Sequence, residues 1–567
     1  MVTAFGQLRL GVGASLAQAD SPPALQLHLG VVDTLLLFVY FVFVIGIGFA
    51  LKRAVMNSTD FFLSGRSLPA WVTGLAFISA NLGAIEILGQ TANGAQYGAA
   101  TVHYYWIGAI PAMVFLGIVM MPFYYGSKVR SVPEYLRLRY DQKAHLINAI
   151  TFVLSSVLLA GVNLYALASV IDALLGIPLP IAIVVSAAFV LSYILLGGLR
   201  SAIYNEVLQF FVILAGLIPL VVIAVKEVGG IPELFSRLTT VKGGAFASSW
   251  QGTGFGGDNP LGDWFGIIAG LGFCVSFGYW TTNFAEVQRA MSAKDQNSAR
   301  MTPIVAAYPK ALIPFLVVLP GMAAVLLIPD LGAPGGPTYT NTIPSLMSMY
   351  LPPGVLGVAV TGLVAAFMAG MAANVSSFNA VFTYDIWQDY VRQGREDSYY
   401  LRVGRIVTVA GVLVGIATAF IAAGFNNIMN YIQVLFSFFN VPLFCAFIIG
   451  MFWRRASKSA GFWAILVGTI VAVATYVLYN QGVIPFRSAL QETFYGSIFA
   501  FIAGSIAAVV ATQFEPRKSD EELQGLVHGL ENRDPDEARQ SWYRKPLPMG
   551  IGAVVLSILL YVGLELL

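Results

Sequence analysis

Four ionisable side chains stand in or beside stretches that are otherwise apolar: Glu86, Glu206, Glu286 and Lys310. A charge inside a bilayer is costly, so such groups pair with each other, face a wet cavity, or mark a path for ions or solutes. Glu86 is the only charge in SANLGAIEILGQ (79–90), and Ser79, Asn81, Gln90 and Asn93 surround it with polar groups. That density predicts a wet interior, with a purely structural ion pair as the alternative for Glu86. Lys310 lies in AAYPKALIP, about eight residues into its apolar run. Pro314 lacks an N–H and clashes with the carbonyl of residue 310, which predicts a kink that turns Lys310 inward. The alternative is a lysine whose stem snorkels to the membrane surface. Glu206 and Glu286 fall near the ends of their runs, where solvation would suffice. Further polar groups sit at Asn374, Ser376, Ser377 and Asn379, and at Gln433 and Asn440.

Other chemistry is not visible in the sequence. There is no glycine-rich phosphate loop followed by Lys-Ser/Thr. The histidines at 28, 103, 145 and 528 are scattered, and Cys274 and Cys445 have no metal-ligand spacing and read as small buried apolar side chains. The chain is therefore expected to be neither an enzyme nor a resident-metal protein.

The elements that position these groups are membrane spans. Of the 567 residues, 57% are hydrophobic and 11% charged, where soluble domains carry about 25% charged residues. A helix crossing a bilayer needs about 20 mostly apolar residues. That rule predicts an all-α polytopic protein with fourteen spans, near 31–51, 68–92, 100–125, 146–175, 179–197, 204–225, 263–285, 303–328, 354–384, 403–424, 428–453, 460–480, 492–513 and 547–567. With both termini external, 25 of the 31 Lys and Arg fall on the cytoplasmic side. Arg9, Lys226, Arg237, Lys242 and Arg487 fall outside, and Lys310 alone lies within a span. Residues 1–30 read as a tail; its Ala17–Ala19 pattern is that of a cleavable leader, but the apolar stretch before it is weak. The charged segment 514–546 has no apolar periodicity with which to build a core. Spans two and seven are interrupted by Gly74, Gly83 and Gly89 and by Gly266, Gly270, Gly272 and Gly278. Glycine-broken helices at corresponding places in two halves point to an inverted-repeat transporter. Close helix packing is the plainer reading.

Between residues 45 and 480 the sequence resembles the sodium:solute symporter family, and within it the sodium/glucose cotransporter branch. The resemblance rests on DFFLSGRSLPAW (60–71), SANLG (79–83), VPEYLRLRY (132–140), GGLRSAIYNEVLQFF (197–211), YWTTNFAEVQRAMSAK (279–294), FTYDIW (382–387) and YIQVLFSFFNVP (431–442) in that order. It implies a LeuT-like core of two five-helix inverted repeats, 68–225 and 263–453. An extra helix at 31–51 precedes the core and further helices at 460–567 follow it. It also implies that the first helix of each repeat is broken at mid-membrane, and that solute moves by alternating access driven by a sodium gradient.

Carried over position by position, the resemblance places solute-binding groups at Asn81, Glu86, Tyr105, Ser276, Tyr279, Lys310 and Gln433. Glu86 stands where sugar-transporting members have a glutamine or histidine, and Tyr105 where they have a glutamate. One carboxylate is thus lost and one gained, which could preserve the charge of a shared pocket. The sodium site would use backbone carbonyls at Ser79, Leu82 and Ala366 and two hydroxyls at positions that are here Ala369 and Gly370, neither of which has a side-chain oxygen. Water, Asn374 or Ser377 would have to compensate. Glu206 matches an aspartate near that site and is read as a coupling group that attracts a cation or carries a proton. The expected function is cation-coupled, most simply sodium-coupled, uptake of a small polar solute, a sugar or sugar-like compound, across a bacterial plasma membrane. Proton-coupled or uncoupled transport and a transporter-like sensor are the alternatives.

Overall fold

The computed structural model describes residues 29–51, 64–530 and 541–566. The leader-like pattern at Ala17–Ala19, the start of the 60–71 motif and part of the 514–546 segment lie outside the described residues.

The described chain is almost wholly helical: α1 (Val31–Leu51), α2 (Ala70–Asn81), α3 (Ile85–Val102), α4 (Tyr104–Gly126), α5 (Val132–Arg139), α6 (Gln142–Leu175) and α7 (Leu179–Val228) in the first half. Then come α8 (Ile231–Lys242), α9 (Gly266–Thr282), α10 (Phe284–Met291), α11 (Gln296–Leu327), α12 (Val355–Val381), α13 (Asp397–Ala422), α14 (Ile428–Phe452), α15 (Ala460–Asn480), α16 (Ala489–Gln513) and α17 (Pro546–Glu565). Among the described residues ten helices are long and apolar enough to cross a membrane, and the bent pair α2–α3 makes an eleventh. Shorter apolar helices at Val31–Ile47, Leu179–Ser192 and Gly266–Thr282 fall where the sequence places the remaining three spans. Phe38, Phe43, Ile406 and Leu559 are each at least 60% exposed on the outside of this bundle, as lipid-facing side chains are.

Three local features depart from expectation. The turn placed at 198–203 is itself helical, so α7 runs for 50 residues. At 1.5 Å per residue that is about 75 Å, more than twice a hydrocarbon core of about 30 Å. Its two apolar stretches, Leu179–Ser192 and Ser201–Val228, therefore count as separate spans. Second, α11 passes through Pro303, Pro309, Pro314 and Pro320 without a break, so Pro314 does not end the helix. Third, only one of the two expected mid-membrane breaks is a sharp bend. The chain turns by 56° between α2 and α3, whereas α9 is wound wide as a π-helix from Gly266 to Ser276.

The α2–α3 bend sits at the centre of the bundle. α11 packs along both α2 and α3, α14 crosses the start of α3, and α10 and α12 pack on α2. Polar caps fix the helix starts around it. Asn283 accepts from Ala285 N–H (3.0 Å) at α10, and Asn427 accepts from Met429 N–H (2.9 Å) at α14. Each cap supplies a partner for a first-turn N–H that the helix itself leaves open.

Candidate solute and cation site

A cavity of about 40 Å³ lies beside the bend. Asn81, Glu86, Tyr105, Ser276, Tyr279 and Gln433 all line it. The seventh expected residue, Lys310, reaches it from α11 by donating to both Glu86 and Asn81. Six separate stretches of chain thus converge as the sequence reading expects. Three of them are wound wide where they meet the cavity: Ile85–Gln90, Tyr104–Ala109 and Gly266–Ser276. Such widening is characteristic of functional positions in helices.

The centre of the site is a buried ion pair between Lys310 and Glu86, which are 1% and 5% exposed. Lys310 does not snorkel. Its ammonium sits 5.0 Å from the ring centroids of both Tyr105 and Trp280, within cation–π range. The Tyr105 hydroxyl donates to the other carboxylate oxygen of Glu86. The carboxylate gained at 86 is therefore held by the phenol at 105, and both helices face one pocket. From Asn81 the chain of bonds continues. Asn81 Nδ2 donates to Tyr279 Oη (3.1 Å), and Tyr279 donates to Glu286 Oε1 (2.8 Å). The Tyr279 ring stacks on Phe436, with centroids 4.5 Å apart.

Two amide oxygens on this wall, Gln90 Oε1 and Gln433 Oε1, are buried without a hydrogen-bond partner among the described residues. A buried acceptor left unmade costs free energy, so such groups mark where a polar ligand completes the site. The cavity's volume accommodates on the order of three waters. Solute entry thus requires the surrounding helices to separate.

Sequence reasoning missed Trp280, Met429 and Phe436. A signal for Phe436 was present, since it follows Gln433 by three residues and shares its helix face, as Gln90 does four residues beyond Glu86. Asn163 on α6 gave no local signal, yet it governs the second half of the site. Its Oδ1 accepts from Ala84 N–H at 3.0 Å, one of the amides freed by the bend. A Cβ on Gly83 would come within 2.6 Å of that oxygen, and one on Gly370 would also collide with it. Glycine at both positions is what lets the amide fit.

This region is where the sodium position implied by the resemblance falls. The Ala366 carbonyl faces the bend at Gly83, and the Ser79 carbonyl already accepts from Leu82 N–H at 3.1 Å. Ala369 and Gly370 offer no side-chain oxygen, and Asn163 packs into the space beside Gly370. Ser377 donates to carbonyls of its own helix, Ala373 (2.9 Å) and Asn374 (3.0 Å). It lines neither the solute cavity nor the smaller one beside it. Asn374 lines the smaller one. This second cavity, of about 10 Å³, is walled by Ala80, Asn81, Gly83, Asn163, Tyr279, Glu286, Gly370, Ala373 and Asn374, among others. It touches Gly370 but not Ser79, Leu82, Ala366 or Ala369.

Glu206 is fully buried, not solvated at a span end, and its carboxylate is held by Arg289 at 2.5 and 3.2 Å. It lines neither cavity. Glu286, also expected near solvent, is 2% exposed. Elsewhere, folding brings together a group whose spacing gave no hint: His145, Asp385 and Asp389. Arg137 pairs with Asp389 at 2.5 Å, and Ser131 and His145 hold Asp385 at 2.7 and 2.9 Å. That arrangement ties α5 and α6 to the extension of α12 as an ion-pair knot.

Residues 61–468 match the model of the sodium:solute symporter family. The chain belongs to that family. It is a transporter, not an enzyme. A sodium/glucose cotransporter of Vibrio parahaemolyticus is 26% identical over 525 residues, covering 88% of this chain and 93% of its own length. A sodium/mannose cotransporter of Bos taurus is 30% identical over 501 residues, covering 83% and 82%. A solved sodium-coupled sialic acid symporter, in a substrate-bound outward-open state, matches with a TM-score of 0.71 at 19% identity over 86% of this chain and 99% of that one. At that identity the match speaks for the fold, a LeuT-like inverted-repeat bundle in the membrane.

Proposed function

We propose that this protein couples inward movement of sodium to uptake of a small, neutral, polyhydroxylated solute, a sugar or a close relative of one, by alternating access. The observation that carries this reading is the Glu86–Lys310 pair, with its Tyr105 and Asn81 partners, facing the same cavity as the unpartnered amide oxygens of Gln90 and Gln433. Carboxylate, ammonium and amide together offer donors and acceptors in alternation, as a ring of hydroxyls requires. Tyr279, Trp280 and Phe436 supply apolar faces on which a sugar ring can rest. Because Glu86 and Lys310 neutralise each other, a neutral solute enters without leaving either charge unpaired. The names of the glucose and mannose cotransporters among the relatives support the same solute class.

The repeats that move against each other are 68–225 and 263–453, preceded by α1 and followed by α15–α17. The distribution of Lys and Arg supports external termini, and the compact loops suit a bacterial plasma membrane. The absence of hydroxyls at Ala369 and Gly370 favours one second reading, the same transport driven by protons. Uptake of labelled hexoses and polyols into proteoliposomes, under a sodium gradient, a proton gradient or neither, separates the two. A solute site in this pocket requires that Lys310→Ala abolish uptake and that Gln433→Ala weaken it through a raised KM, while both proteins still insert. Normal uptake by both variants would remove the solute site from this pocket.

A further inference from the structure

Five charged groups are buried on α3, α7, α10 and α11: Glu86, Glu206, Glu286, Lys310 and Arg289. Lys310 pairs with Glu86 and Arg289 with Glu206. One carboxylate, Glu286, is left over. No Lys or Arg among the described residues comes within ion-pair distance of it. Its Oε1 accepts from Tyr279, while Oε2 is buried with no hydrogen-bond partner. A lone carboxylate removed from water costs several kcal/mol unless a cation or a proton compensates it. Glu286 also lines the second cavity, whose volume of about 10 Å³ suits a single water-sized body.

We propose that Glu286 binds the coupling sodium ion in this cavity, displaced along α12 from the position used elsewhere in the family. The inference rests on the sodium-coupled reading above. Sodium is a hard cation and takes oxygen ligands. The cavity is lined by the carboxylate of Glu286 and by the amide of Asn374. Asn374 Nδ2 is engaged with the Gly370 carbonyl at 2.9 Å, so the atom it presents is Oδ1. The displacement has a cause. The hydroxyl pair is missing at 369 and 370, and the Asn163 side chain packs there, capping the freed Ala84 amide. The negative charge is supplied instead from α10.

The same geometry supplies a coupling route. Asn81, Ile85 and Tyr279 line both cavities. A cation on Glu286 Oε2 fixes the carboxylate that holds the Tyr279 hydroxyl. Tyr279 holds Asn81, and Asn81 holds Lys310 in the solute cavity. Linkage then requires that solute raise sodium affinity by the same factor as sodium raises solute affinity.

The test is binding of ²²Na⁺ to the purified full-length chain in detergent, with potassium as the background salt. Wild type binds sodium, Glu286→Gln binds at least tenfold more weakly, and Glu286→Asp lies between them. The rise in melting temperature produced by sodium over potassium disappears in Glu286→Gln. If that variant does not yield a monodisperse protein, Asn374→Ala carries the test, with sodium binding at least threefold weaker. Wild-type sodium affinity in whichever of these variants folds overturns the site and leaves sodium-coupled transport standing. A wild-type protein that binds no sodium overturns both.

Discussion

Replacing Lys310 with methionine keeps most of the side chain's volume and removes its charge. The ammonium it removes donates to Glu86 and Asn81 and lies 5.0 Å from two aromatic rings, all in a buried setting. Glu86 is then left with Tyr105 as its only donor among the described residues, as a carboxylate with no described cation beside it. Breaking a buried pair by deleting one partner costs about 3–5 kcal/mol, because the surviving charge is uncompensated. Glu86→Gln in the same chain removes that charge. The double variant is expected to recover more than half of the loss, ending within about 1–2 kcal/mol of wild type, since the two neutral side chains no longer need each other. Melting of the detergent-solubilised protein, followed by intrinsic fluorescence and size exclusion, reads this as an order. Lys310→Met lies lowest, and the double variant lies near wild type. Transport shows the opposite pattern, absent in both, because the solute contacts are gone either way. If Lys310→Met melts like wild type and the double variant melts lower, the pair does not hold the site together and the reasoning fails.

Three further outcomes follow from the same contacts. Gly83→Ala puts a methyl 2.6 Å from Asn163 Oδ1. Overpacking of this kind costs about 1–3 kcal/mol, and Asn163→Ala in the same chain should restore part of the lost melting temperature. Gln433→Ala removes a buried oxygen that has no partner. It should leave the melting temperature within a degree or two while raising the KM for solute about tenfold, the equivalent of one hydrogen bond at about 1.4 kcal/mol. Arg289→Met strands Glu206, with an expected loss of about 3–5 kcal/mol that Glu206→Gln partly reverses, again read by melting.

The spans were legible because a membrane helix announces itself by length and apolarity, and neither depends on distant contacts. The continuity of α7 was not. The sequence places one span at 179–197 and the next at 204–225, yet the backbone stays helical through the residues between them. The break in α2–α3 and the wide winding of α9 were both signalled by glycine, but glycine alone does not say which form a helix takes. Which becomes a bend depends on neighbours such as Asn163, more than seventy residues away in sequence. Glu86 and Lys310 were legible as candidates because each is costly in a bilayer; that they meet one another is seen only in the fold. Tyr105 was readable only through family resemblance, as the phenol that takes the place of an acid. Glu206 and Glu286 show the limit. Both sit near the ends of apolar runs, and from sequence either could meet water. Both are buried, and pairing separates them, since Arg289 comes around to meet Glu206 and leaves Glu286 facing a cavity.

The measurement that tests sodium-coupled sugar uptake most directly is accumulation. Proteoliposomes containing the purified protein are given a labelled hexose, with sodium outside and potassium inside, and the ratio of internal to external label is followed in time. The account predicts a ratio that rises above one, then falls back to one when a sodium ionophore collapses the gradient. A ratio that never exceeds one for any hexose or polyol, or one that is equal when potassium replaces the external sodium, would contradict it.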